Sequence, residues 1–246
     1  MKILAHDPRY KFNGREDSDS DAPVIREIWC ENVYEVYDGD LSDTGIVVDV
    51  GANIGSFTLF AASLGAKKVI AVEPEPHNLE LLRRNIEEHQ SITPDCEFII
   101  DDHGIAGRSD SAFITNDHGD SRVSDVKEAG KTQITLITLE QLFKKLRLEY
   151  IDILKIDIEG MEGDVLINTP EHIMNLCRYI TLEYDQHSHD LGAIVEKLNQ
   201  THQVKVVGKA GGMIFAKHGE KLMLKGIYAG GTRSEAFTMM PKSNNH

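Results

Sequence analysis

Cysteine is scarce in this chain. Cys30, Cys96 and Cys177 lie far apart, and an odd number without clustered spacing excludes a disulfide framework and a zinc-binding cysteine set. A reducing cytoplasmic setting is the expectation. Positive charge is in deficit: 26 Lys and Arg stand against 40 Asp and Glu, a formal net charge of −14. Such a surface repels a phosphate backbone, which argues against nucleic acid as the main partner. Long apolar runs are also missing. The longest uncharged stretch, Val50 to Ala66, is short for a bilayer span and broken by Gly51, Asn53, Gly55 and Gly65, so no membrane association is expected. The N-terminus shows no basic-then-apolar targeting segment, and no internal repeat is visible.

What is present is enough apolar character, 41% of 246 residues, to build the core of one large α/β domain. Residues 1–44 read as an N-terminal arm with "REDSDSD" as a solvated loop, followed by a helix in "VIREIWCENVY". Ile46–Val50 is a β-branched run typical of a strand buried on both faces. Phe57, Phe60, Ala61 and Leu64 then recur at helical spacing, with Gly65 as terminator. Strand and helix readings alternate onward through "KVIAV", "HNLELLRRNIEEH", "EFII", "IDILKID", "TPEHIMNLC", "YITLEY" and "DLGAIVEKLNQ". This alternation predicts a doubly wound, mostly parallel sheet. An insertion at about 102–132 is flanked by "SAFIT" and "QITLIT", read as a hairpin around "NDHG". "QVKVVG" and "GMIFAK" form a second, late hairpin, and residues 219–246 read as a tail.

The stretch "IVVDVGANIGSFTLFAASLGAKKVIAVEPEP" carries the chemistry. A strand, a tight glycine turn and a helix bring backbone N–H groups to the strand's end, which makes a ligand site. In a dinucleotide fingerprint the second glycine lets the backbone approach the pyrophosphate. Asn53 takes that position between Gly51 and Gly55, so the loop suits a nucleoside without a diphosphate. Glu73, closing the next strand beside Pro74, can accept hydrogen bonds from ribose hydroxyls. Asp49 can orient the turn or meet a ligand ammonium. An adenosine with an ammonium and a sulfonium cation is S-adenosyl-L-methionine.

Three segments resemble the FkbM-type family of class I methyltransferases. They are the glycine-turn segment, "ITLITLEQLFKKLRLEYIDILKIDIEGMEGDVL", and "ITLEY", and the resemblance covers about residues 45–217. It implies a Rossmann-like, seven-stranded sheet with an antiparallel last strand, in a domain over 45–218. It also implies an S-adenosyl-L-methionine site containing Asp49, Gly51, Asn53, Gly55 and Glu73 with Pro74, and Asp102 and His103 near the adenine. O-methylation of a small molecule or sugar is the implied reaction.

At the carboxyl ends of later strands stand Asp157 and Glu183, with Glu159 and Glu162 at the next helix start. Asp157, Glu183 or Glu159 could take the acceptor's proton or hold the substrate. Glu162 reads as an acid stabilised by a helix N-terminus. Glu183, Asp185, His187 and His189 alternate, but "QHSHD" reads as a solvated loop, so no metal is expected. Two other classes stay open on the residues alone: a nicotinamide-dependent oxidoreductase and a non-catalytic nucleoside-binding domain.

Overall fold

A computed structural model describes residues 2–5, 7–16, 18–115, 123–124, 131–185, 191–208 and 211–219. Strands β1 (Lys2–Leu4) and β2 (Lys11–Asn13) pair antiparallel. A short helix α1 (Asp21–Arg26) runs on into a π-type turn over Glu27–Glu31. This opening is not the solvated arm that its acidity suggests. Arg15, Ser18 and Asp21 are buried, because Arg15 and Asp21 form an ion pair and Ser18 Oγ accepts the Asp21 N–H at 3.2 Å. Tyr10 and Phe60 both pack on Trp29, with ring centroids 4.5 and 5.4 Å away. The expected helix through "VIREIWCENVY" stops early: Asn32 enters the left-handed region (φ 49°) and brackets Val36 with its side-chain amide.

The central sheet begins with β3 (Ile46–Val50), α2 (Ser56–Ser63), β4 (Lys68–Val72), α3 (Pro76–His89) and β5 (Glu97–Asp101). A smaller sheet follows, built from β6 (Gly104–Ile105), β7 (Asp110–Thr115), β8 (Val123–Ser124) and β9 (Lys131–Ile137). Its order is β6-β9-β7-β8, and β7 and β9 pair antiparallel. The "SAFIT" and "QITLIT" strands do pair, but β8 adds an edge strand, and "NDHG" lies outside the described residues. The chain then forms α4 (Leu139–Leu146), β10 (Ile151–Ile156), α5 (Glu162–Asn168), α6 (Glu171–Met174), β11 (Cys177–Asp185), α7 (Leu191–Leu198), β12 (His202–Gly208) and β13 (Gly211–His218).

The seven-stranded order is β12-β13-β11-β10-β3-β4-β5. Only β13 runs against its neighbours in this sheet. β3, β4 and β10 are buried along most of their length, which explains their largely apolar sequences. The polar exceptions are all partnered. Asp152, for example, accepts from Ser42 N–H, Ser42 Oγ and Ile46 N–H at 2.9–3.0 Å, fixing the entry into β3. The strand order reverses direction between β3 and β10, and the crevice at that switch point is the natural ligand position. Among the described residues, no helix is long and apolar enough to cross a membrane.

Candidate active site

The turn after β3 is set by sterics. Gly51 has φ +76°, and a Cβ there would lie 1.7 Å from the Asp157 carbonyl oxygen. Only glycine lets the ends of β3 and β10 come this close. Gly55 (φ +92°) packs behind the turn, where a Cβ would sit 2.8 Å from a Leu82 methyl. Between them Asn53 adopts φ +51°. Its N–H donates to Glu73 Oε2 at 2.8 Å, tying the turn to the end of β4. Its side-chain oxygen is turned to Arg15 Nη2 at 3.2 Å.

Glu73 is buried. Its Oε1 accepts from the Glu75 N–H at 2.9 Å and Asn78 Nδ2 at 3.3 Å. Burial pushes its carboxyl up, opposed by these donors. A carboxylate has about four lone-pair sites. Three are filled, which leaves one on Oε2 at the lining of an open cleft of about 650 Å³, counting its solvent-filled mouth.

Gly51, Asn53, Glu73 and Pro74 line this cleft, as do His103, Asp157 and Glu159. Asp49 and Gly55 do not. Asp49 is fully buried beneath the turn, where Thr58 Oγ1 donates to it at 2.6 Å and Lys155 Nζ lies 3.1 Å away. Lys155 also donates to the Gly51 carbonyl at 2.7 Å. Burial pulls the Lys155 amine down, but Asp49 and Asp157 outweigh it and leave it raised. Asp49 thus supports the turn from below. Lys155 was not singled out from sequence, although a lone lysine inside an apolar strand is a signal for a buried opposite charge.

Asp157 accepts from the Tyr34 hydroxyl at 2.7 Å, and Lys155 Nζ lies 3.7 Å from the same Oδ2. Tyr34 comes from the N-terminal segment, and nothing in its own neighbourhood marks it. Burial and Asp157 hold its hydroxyl well above the usual tyrosine value. Glu159 is exposed at φ +54°. Glu162 is buried and gathers the Ile158 and Gly160 N–H groups at 2.9 and 3.0 Å, so it shapes the 158–160 loop. Glu183 stands outside the cleft lining, with its side chain exposed. Its carboxyl is nevertheless pushed up to about 7, first by desolvation at the strand end and then by Asp157, Glu162 and Glu27.

His103 reaches the cleft with Nδ1 2.7 Å from Asp101 Oδ1, while Lys145 Nζ donates to Asp101 Oδ2 at 2.6 Å. Burial drives Asp101 up, but Lys145 and His103 hold it below the usual range. Asp102 is exposed and off the cleft. Asp101, Asp102 and His103 together have donor spacing that could hold a cation, but the Lys145 ammonium already fills that role for Asp101. Of the alternating set after β11, His187 and His189 lie outside the described residues. The insertion does contribute to the cleft, although no residue of its apolar wall was singled out from sequence: Ile105, Ile114 and Leu136 come from the small sheet, with Met161 beside them.

The family described as Methyltransferase FkbM domain matches residues 49–205. The chain is 29% identical over 200 residues to the AMB antimetabolite synthetase AmbE of Pseudomonas aeruginosa, covering 65% of this chain and 9% of that protein. It is 31% identical over 107 residues to the 31-O-demethyl-FK506 methyltransferase FkbM of Streptomyces tacrolimicus, covering 43% of this chain and 36% of that one. Among solved structures, methyltransferase FkbM from Methylobacillus flagellatus superimposes with a TM-score of 0.50 at 16% identity, over 76% of this chain and 49% of that one. The chain therefore spans well under two thirds of each of these proteins.

Proposed function

The chain belongs to the FkbM family of methyltransferases, and on that premise we propose that it methylates an oxygen of a small-molecule or carbohydrate acceptor, using S-adenosyl-L-methionine. The observation that carries the cofactor reading is the open acceptor site on Glu73 Oε2, beside a turn that admits no Cβ at Gly51. A ribose hydroxyl suits that remaining lone pair, and Gly51 lets β3 and β10 close up beside it. Asn53, Pro74 and His103 complete the lining on this side, with Asp49 bracing the turn.

When bound, S-adenosyl-L-methionine supplies an electrophilic methyl carbon on a sulfonium centre. The chain's own residues must then orient the acceptor oxygen in line and receive its proton. The acceptor's proton would pass to a carboxylate of this chain. Asp157 is placed for this. Tyr34 occupies its Oδ2, which leaves Oδ1 for the acceptor. Glu159 is the further carboxylate of the lining, and Glu183 stands beyond it on β11. The wall of Ile114, Leu136 and Met161 suits an acceptor with an apolar body, and the acidic composition disfavours RNA. The oxygen preference is supported by the relative named for 31-O-demethyl-FK506. In this reading residues 45–218 form the catalytic unit and 1–44 close one side of it.

Calorimetry with S-adenosylmethionine, S-adenosylhomocysteine, NAD and NADP tests the proposal. The first two should bind and the nicotinamide cofactors should not; the reverse outcome rejects it. Transfer of an isotopically labelled methyl group to a panel of hydroxylated small molecules separates an enzyme from a nucleoside-binding domain.

A further inference from the structure

Arg15 lies outside the segment shared with the family, yet it is buried against the cofactor side of the cleft. Its Nη1 donates to Asn78 Oδ1 at 2.9 Å and its Nη2 to Asn53 Oδ1 at 3.2 Å. Asp21 holds the guanidinium through Nε at 3.0 Å and through Nη2, and accepts the Arg15 backbone N–H at 2.7 Å. Both asparagines line the cleft, and both donate to Glu73: Asn53 through its N–H, Asn78 through Nδ2.

The chemistry of a guanidinium makes this a one-way arrangement. Arginine has five N–H donors and no acceptor. It therefore fixes both amides with their oxygens toward itself. For Asn78 this forces the NH₂ toward Glu73. A flipped Asn78 would set its oxygen against the Glu73 carboxylate and its NH₂ against the guanidinium, two repulsive contacts in a buried site. For Asn53 the same contact secures a left-handed backbone (φ +51°) whose N–H must point at Glu73 Oε2.

We propose that Arg15 is a positioning residue for the nucleoside site: through Asn53 and Asn78 it orients the Glu73 carboxylate so that one lone pair remains for a ribose hydroxyl. The N-terminal segment thereby belongs to the binding machinery. This rests on the cofactor reading above.

The test uses the full chain and two ligands, S-adenosylhomocysteine and its 2′,3′-dideoxy analogue. Wild type should prefer the hydroxylated ligand by about tenfold or more, the scale of one hydrogen bond to a charged group. Arg15→Lys keeps a cation for Asp21 but cannot span both amides. It should bind S-adenosylhomocysteine about tenfold more weakly and shrink the preference to about threefold or less, with a ligand-free melting temperature close to wild type. If Arg15→Lys weakens both ligands equally and keeps the full preference, the residue is merely structural and the proposal is wrong. It is equally wrong if wild type binds both ligands alike. If wild type binds neither, the cofactor reading itself fails. Should Arg15→Lys not fold, Asn78→Ala removes one arm of the relay while leaving the Arg15–Asp21 pair and the Asn53 arm intact, and is judged by the same ratio.

Discussion

Lys155 and Asp49 face each other across the pairing of β10 with β3, with Nζ 3.1 Å from Oδ1 and both side chains almost wholly buried. In the interior such a pair adds little net stability against an apolar replacement, but removing one member strands the other charge at a cost of about 3–5 kcal/mol. Lys155→Met should lower stability by that amount in urea denaturation, and Lys155→Met combined with Asp49→Asn should recover much of it. A loss below about 1 kcal/mol would reject the coupling. The pH dependence has a defined sign. The folded Lys155 value is raised, so its contribution is complete below the unfolded lysine value of about 10.4 and fades only as pH rises through the folded value. Lys155's own part of the gap between wild type and Lys155→Met should therefore be constant through neutral pH and fade only in alkali.

Gly51 and Gly65 both have positive φ, but only one has room for a side chain. At Gly65 a Cβ meets nothing within 4 Å; at Gly51 it would fall 1.7 Å from the Asp157 carbonyl. Gly65→Ala should cost about 1–2 kcal/mol, the backbone term alone. Gly51→Ala must force β3 and β10 apart and should cost several times more, or prevent folding. Comparable melting temperatures for the two variants would contradict the close approach.

Glu73→Ala removes the carboxylate that the turn and the cap residue of α3 both donate to. Losing a charged hydrogen-bond acceptor is worth about 1.5–3 kcal/mol, or about 10- to 150-fold in affinity. S-adenosylhomocysteine binding by calorimetry should weaken within that range. Unchanged affinity would place the nucleoside elsewhere.

The sheet was legible because buried parallel strands leave continuous β-branched runs, as in Ile46–Val50 and Ile151–Ile156. The glycine turn and Glu73 were legible because their constraints are local: positive φ, and an acid at a strand's end. Arg15, Tyr34 and Lys155 were not, since each matters through a partner far along the chain; Tyr34 meets Asp157 across 123 positions. The burial of Arg15, Ser18 and Asp21 within "REDSDSD" was missed for the same reason. Composition reports a cost of burying Asp21, while the compensating contacts lie with Arg15 and, through it, with Asn53 and Asn78. The cleft wall of Ile114 and Leu136 depended on where the small sheet docks, which alternation of apolar residues within a strand does not specify.

Asp157 and Glu183 are distinguished by what a pH profile would show. Asp157→Ala should leave S-adenosylhomocysteine affinity within about threefold and reduce turnover by about 100-fold or more, the usual scale of a lost general base. Glu183, raised to about 7 by desolvation and by its acidic neighbours, would act only when deprotonated. If it shares the proton-accepting role, the rate must rise with pH through that region. A bound sulfonium stabilises the carboxylate, so the apparent value at saturating cofactor should lie below the value for the free protein. Glu183→Gln should then abolish the acidic limb of the profile, while Asp157→Ala lowers the curve and moves its acidic limb to lower pH, because Asp157 is one of the charges that raise Glu183. An acidic limb that survives in Glu183→Gln would assign it to another group and leave Asp157 as the base.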